Sequence, residues 1–339
     1  MDGFDLGCSS FTWDTEDGRH LLGRTYDMFG DLSANTIAVI GKGYDFALDP
    51  EGKRRRKVRH GFVSMAILGT ASPVIVDGIN DKGLMGCLLN YPGFGCFDTN
   101  QGDGHIDVYP GSYLGLMLGS CASVEEAAAM MGNVNITSEL IFGAKMSVHY
   151  IFSDSTGEAM IVEPDEGGVS IYRDTIGVMT NSPGYPWHRT NLRNYVFVSN
   201  VHPEPREIAG ETFSPLGHGT CGSSGLPGGY TSTARFVRLA FAKTFSPKGK
   251  DETEGVTRMF QCFSSVDVPD GFLYDPEGHG NSEYTLCTSV MCPESLTYYF
   301  SGCQDRRISA VSVERALQGL SGDIGHIALP SRQDISWLN

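Results

Sequence analysis

The run Gly83-Leu84-Met85-Gly86-Cys87-Leu88-Leu89 constrains this chain most, because it has no polar face. A strand apolar on both sides must lie inside a sheet and be covered above and below. An apolar partner strand, Pro73 to Ile79, precedes it across the polar turn Asn80-Asp81-Lys82. A β-rich block follows, with strands expected over 148–152, 159–162, 169–172 and 176–179. The first three are separated by turns at Asp154-Ser155-Thr156-Gly157 and Asp165-Glu166-Gly167-Gly168. Strands are also expected over 36–40, 284–290, 296–301 and 308–313. Ser123-Val124-Glu125-Glu126 is a capping box, opening a helix that Gly132 can end. Apolar residues recur at helical spacing over 236–245 and 256–266. Strands and helices do not alternate one to one, which argues against a doubly wound parallel sheet. One domain of interleaved sheets and helices is expected, with no linker or repeat.

Residues 8–28 read as a hairpin, with Ser9, Phe11 and Trp13 alternating against Cys8, Ser10 and Thr12. Asp17-Gly18 is its turn. The hairpin carries Cys8, preceded by Gly7, and then Arg24 and Asp27. Two readings of these residues stand. Cys8 is a small buried apolar residue, or it is a nucleophile, since only a thiolate attacks. Cutting Gly7–Cys8 would give Cys8 a free amine with a reference pKa of roughly 7.7–8.0, a base near neutral pH. Arg24 beside the sulfur would favour the thiolate, and Asp27 could hold the amine.

Composition excludes several functions. A net charge of −15 and a pI near 4.9 argue against nucleic acid. The basic run Lys53-Arg54-Arg55-Arg56-Lys57 reads as a solvated loop. No apolar run is long enough for a membrane span. The acidic start Met1-Asp2-Gly3-Phe4-Asp5 is not a secretory signal. The nine cysteines contain no C-x-x-C and no zinc-finger spacing, so reduced thiols in the cytoplasm are expected, with no metal.

Polar residues also stand at strand ends and before a helix, where sites are commonly built. They are Leu89-Asn90-Tyr91-Pro92-Gly93, Thr180-Asn181-Ser182-Pro183, and the glycine loop Gly225 to Thr233 leading to Arg235. An amide such as Asn181 suits an oxyanion hole, although each residue alone also reads as a turn or surface residue.

Together and in this order, these residues resemble the choloylglycine hydrolase family of N-terminal-nucleophile amidases, over nearly the whole chain. The match rests on Cys8, on Gly23-Arg24 with Asp27, and on Asn80-Asp81-Lys82-Gly83-Leu84. It continues through Thr180-Asn181-Ser182-Pro183, Trp187-His188, Asn191-Leu192-Arg193, Leu226-Pro227-Gly228 and Arg235-Phe236-Val237-Arg238. Near the end it includes Tyr284-Thr285, Thr288-Ser289 and Tyr298-Tyr299. The resemblance implies an α+β fold, a four-layer αββα sandwich with two antiparallel sheets between helices. It implies residues 1–7 as a propeptide removed autocatalytically and 8–339 as a single amidase domain, with no cofactor. Cys8 would be nucleophile and base, Arg24 would lower its pKa, and Asp27 would orient the amine. Asn181 and the Asn90 backbone N–H would hold the oxyanion, and Arg235 would complete the charge network.

Family position and apolar character in expected loops put Met28, Phe29, Met65, Ile141 and Phe142 in the substrate pocket. The resemblance further implies a cytoplasmic homotetramer that acts on small acyl amides and binds neither nucleic acid nor membrane. Conjugated bile salts are the expected substrates, because Asn90 resembles the bile salt hydrolases. Penicillin V or another acyl amide, including acyl homoserine lactones, is the alternative, because the seven residues before Cys8 resemble the penicillin V acylases. A non-catalytic relative that binds acyl ligands is the other class of function.

Overall fold

The structure, a computed structural model, describes residues 7–98, 104–140, 144–217, 222–274 and 282–338. Strand Cys8–Asp14 pairs antiparallel with His20–Phe29, Cys8 opposite Tyr26 and Asp14 opposite His20. Gly18 sits in the connecting turn at φ +83°, a conformation that favours glycine. The expected hairpin is therefore present.

Among the described residues that hairpin belongs to a seven-stranded antiparallel sheet, in which Leu273–Tyr274 pairs Ser282–Cys292 off the main path. Val178–Met179 lies on one side, and Ser282–Cys292, Thr297–Gly302 and Ser309–Ser312 follow on the other. Among the described residues a second sheet has nine strands, with Val74–Ile75 pairing Phe62–Ile67 off the main path. Its order runs from Gly168–Tyr172 through Ala159–Asp165, Val148–Ser153, Met85–Asn90 and Asp77–Asn80 to Phe62–Ile67, Asn35–Ile40 and Ile324–Ile327. Met85–Asn90 is interior, between Val148–Ser153 and Asp77–Asn80, and all its residues are buried. This is the position its two apolar faces require.

Alternation along the second sheet divides the core in two. Ile37, Val39, Val63, Met65, Met85, Cys87 and Leu89 pack towards the first sheet. Ala38, Ile40, Phe62, Ala66, Leu84 and Leu88 pack on the other face, against helices Pro110–Ser120 and Val124–Met131. The period of two along a strand dictates this separation. Helices Ser232–Phe245 and Glu252–Phe263 cover the outer face of the first sheet with Phe236, Leu239, Met259 and Phe263. The layers are therefore helix, sheet, sheet, helix, as expected.

Ser123 caps its helix by accepting from Glu126 N, as the capping box required, although Glu126 reaches back to Ala122 N rather than to Ser123. The strand expected over 176–179 shrinks to Val178–Met179 and joins the first sheet rather than continuing the β-rich block. Among the described residues, no helix is long and apolar enough to cross a membrane.

Candidate active site

Strand register places the first two site residues. Cys8 lies opposite Tyr26, so Arg24 is its diagonal neighbour on the same face. Arg24 Nη2 donates to Cys8 Sγ at 2.7 Å. The remaining guanidinium donors are also placed: Nη1 on Val76 O at 3.0 Å and Nε on Thr25 O at 3.2 Å. The cation stands 4.8 Å from the Tyr26 ring centroid. Arg24 is fully buried and Cys8 nearly so.

Asp27 falls on the opposite face of its strand, beside Gly7. Its backbone N–H donates to Gly7 O at 3.1 Å. Its Oδ1 accepts from Thr285 Oγ1 at 2.6 Å, while Oδ2 is buried without a hydrogen-bond partner.

Asn181 follows the short strand Val178–Met179, and Arg235 lies in the first turn of helix Ser232–Phe245, which Thr231 caps. The Cys8 N–H donates to Asn181 Oδ1 at 3.0 Å, and Arg235 Nη2 donates to the same oxygen at 2.5 Å. Two donors on one oxygen fix which way the amide points. Asn181 Nδ2 consequently faces the second sheet and donates to Asn90 O at 2.8 Å. Arg235 Nη1 donates to Cys8 O and to Ser9 Oγ, binding the helix to the start of the hairpin. Cys8, Arg24, Asp27, Asn90, Asn181 and Arg235 are thus brought to one place, from both sheets and one helix.

Beside the sulfur is an apolar cleft lined by Cys8, Arg24, Tyr26, Ile67, Val76, Leu88, Asn90, Met146 and Val148 among others. Asn90 Nδ2 is buried there without a partner. An unsatisfied buried donor costs about 1–3 kcal/mol, which a ligand oxygen would recover.

The electrostatics differ from expectation in one respect. Burial pushes the Cys8 thiol up; Arg24 and Arg235 pull it down, but the net direction is upward. Arg24 therefore acts in the expected sense and is outweighed while Cys8 N is a peptide nitrogen. Burial also raises the Asp27 carboxyl, against the pull of Arg235, the Thr285 hydrogen bond and Arg24.

The expected pocket residues fare unevenly. Met65 is not in a loop: it lies within strand Phe62–Ile67, fully buried between the sheets, and Ile67 lines the cleft instead. Met28 and Phe29 end strand His20–Phe29, partly buried, with Met28 Sδ accepting from Tyr26 OH at 2.8 Å. Neither lines the cleft. Ile141 and Phe142 lie outside the described residues.

The sequence reading missed Asp77. It is fully buried, accepting from Ser289 Oγ at 2.7 Å, Tyr298 OH at 2.8 Å and Met65 N at 3.1 Å. Burial pulls the Arg24 pKa down, but Cys8, Asp77, Cys87 and Cys287 around it raise it, and the net direction is upward. The available signal was a lone acid in an apolar strand, Val74-Ile75-Val76-Asp77. Also missed were the supports of Asn181: its N–H donates to Ser232 Oγ at 3.0 Å, and its carbonyl accepts from His188 Nε2 at 3.0 Å. Burial pushes His188 down to about 4, so the imidazole stays neutral. No cluster of metal-ligating side chains occurs among the described residues.

Comparison with known proteins places this geometry. The family model described as linear amide C–N hydrolases, choloylglycine hydrolase family, matches residues 8–321. A bile salt hydrolase/transferase of Clostridium perfringens is 29% identical over 91% of this chain and 93% of its own. A conjugated bile acid hydrolase of Lactobacillus acidophilus is 30% identical, covering 86% of this chain and 91% of its own. The crystal structure of a mutant conjugated bile acid hydrolase from Clostridium perfringens superposes with a TM-score of 0.87 at 25% identity, covering 98% of this chain and all of the other. Penicillin V acylase from Agrobacterium tumefaciens shares the fold, with a TM-score of 0.72 at 21% identity over 94% of this chain and 90% of its own. This chain belongs to the choloylglycine hydrolase family and is a hydrolase of linear, non-peptide carbon–nitrogen bonds.

Proposed function

We propose that the chain hydrolyses the amide bond of glycine- or taurine-conjugated bile salts, with Cys8 as nucleophile and its own amine as base. Residues 1–7 are then a propeptide that the chain removes itself, and 8–339 the amidase domain. The observation that carries the reading is a buried sulfur that accepts from Arg24 at 2.7 Å beside an apolar cleft containing an unpartnered Asn90 amide. The names of the relatives point to the same acyl class.

The steps follow from the groups present. Cutting Gly7–Cys8 places an amine beside Asn181 Oδ1, next to the Gly7 backbone that Asp27 flanks. Its positive form favours the thiolate, countering the burial that holds the thiol up in the joined chain. The amine takes the thiol proton, and sulfur attacks the substrate carbonyl carbon. Asn181 Nδ2 and the Asn90 N–H donate to the oxyanion. The amine returns the proton to the leaving nitrogen, the carbon–nitrogen bond breaks, and a thioester remains. Water, losing a proton to the same amine, hydrolyses it.

Eight cysteines are described and all are free thiols, which suits the cytoplasm. Exposed Val196, Phe197, Val201 and Leu216 suit burial between copies in a homotetramer.

Position 90 decides the substrate. Asparagine leaves room beside the sulfur and offers its amide to a polar conjugate, whereas a tyrosine ring would narrow the cleft towards flat aryl groups. Catalytic efficiency is expected to be higher for conjugated bile salts than for penicillin V. Asn90→Tyr should move the ratio towards penicillin V by about tenfold, or 1.4 kcal/mol. Release of glycine, taurine and 6-aminopenicillanic acid measures it. A tenfold wild-type preference for penicillin V would make this chain a penicillin V acylase instead.

A further inference from the structure

We infer that Glu283 is the residue that holds the segment before Cys8 for its own removal. The inference rests on the reading that Gly7–Cys8 is cut. Glu283 is the second residue of the strand Ser282–Cys292 and pairs with Phe29 at the end of the neighbouring strand His20–Phe29. Its Oε1 accepts the Gly7 N–H, and the Asp27 N–H donates to Gly7 O at 3.1 Å. Gly7 is therefore gripped at both its polar atoms, one on each of two adjacent strands. Cys8 next to it is gripped as well, its N–H on Asn181 Oδ1 at 3.0 Å. The scissile peptide between them is fixed from three sides while its sulfur waits beside Arg24.

The same grip excludes larger residues. A Cβ on Gly7 would collide with Glu283 Oε1 and stand 3.1 Å from Asp27 Oδ2 and 3.3 Å from Asp27 Cβ. Glycine fits here because it has no side chain. Glu283 is thus a specificity-determining residue for self-cleavage, with a glycine-ended segment as its ligand.

The reaction it serves is an acyl shift followed by hydrolysis. Cys8 sulfur bonds to the Gly7 carbonyl carbon, the carbon–nitrogen bond breaks, and the thiol proton ends on the Cys8 nitrogen. Water then cleaves the thioester, leaving a Gly7 carboxylic acid and restoring the thiol. The Asp27 N–H, already on the Gly7 carbonyl, is placed for the charge that develops on that oxygen.

The test follows the joined and cut forms by intact mass after cell-free synthesis of the full chain. Wild type should be cut between Gly7 and Cys8. Glu283→Ala should lengthen the half-life of the joined form tenfold or more, the size of effect of one hydrogen bond to a charged group. Glu283→Gln, whose amide oxygen still accepts the Gly7 N–H, should stay within threefold of wild type. A purely structural role would not be rescued in this way. Gly7→Ala, which leaves residues 8–339 untouched, should also be slowed tenfold or more. Glu283→Ala or Gly7→Ala cut at the wild-type rate, or Glu283→Gln as slow as Glu283→Ala, overturns the inference with the cleavage reading intact. Wild type that stays joined yet hydrolyses amides overturns the cleavage reading itself.

Discussion

Cys8→Ala is expected to stop both the release of residues 1–7 and the hydrolysis of any amide. In the proposed mechanism each reaction begins with attack by the same sulfur, so neither has a substitute. The loss of turnover should be about 10⁴-fold or more, the scale seen when a covalent nucleophile is removed. The folded state should survive, because a buried methyl replaces a small buried thiol and Arg24 keeps its bonds to Val76 O and Thr25 O. Cys87→Ala is the control. Cys87 lies in the core between the sheets, and burial, reinforced by Asp77, pushes its thiol far up despite Arg24. It stays protonated and inert, so turnover should remain within a few-fold of wild type. Normal turnover by Cys8→Ala would mean that another group is the nucleophile.

Asn181→Ala should have the next largest effect. Removing one oxyanion donor typically costs about 10²–10³ in turnover. The Michaelis constant should change less, since the donor acts mainly on the transition state. Here the same side chain also positions Cys8, accepting its N–H and the Arg235 guanidinium on one oxygen. Asn181→Asp separates the two roles. The aspartate keeps acceptors for Cys8 N and Arg235 but loses the Nδ2 donor that reaches Asn90 O. It should be as slow as Asn181→Ala if donation matters. Recovery of turnover in Asn181→Asp, or a raised Michaelis constant with unchanged turnover in Asn181→Ala, would make Asn181 a positioning or binding residue.

What the sequence disclosed depended on whether a local pattern existed. The hairpin was legible because Cys8–Asp14 alternates and Asp17-Gly18 turns. Its register then brings Arg24 to Cys8, a contact that sequence spacing alone suggests but cannot fix. The interior strand Met85–Asn90 was legible because both its faces are apolar. Helix Pro110–Ser120 was not, because it is buried on almost every side and has no polar face to reveal a helical period. Met65 was misplaced for a related reason: an apolar residue in a short run does not show whether it lines a cleft or fills a core. The resemblance gathered Asn90, Asn181 and Arg235, which come from distant stretches. Asp77 escaped because its partners Ser289 and Tyr298 belong to the opposite sheet, and no local pattern joins them.

The intact mass of the purified, active protein tests the account most directly. It rests on one residue that is both nucleophile and base, and only a cut at Gly7–Cys8 gives Cys8 a free amine. The mass should lack residues 1–7, and the first residue should be Cys8. A fully active protein that retains Met1 would contradict it.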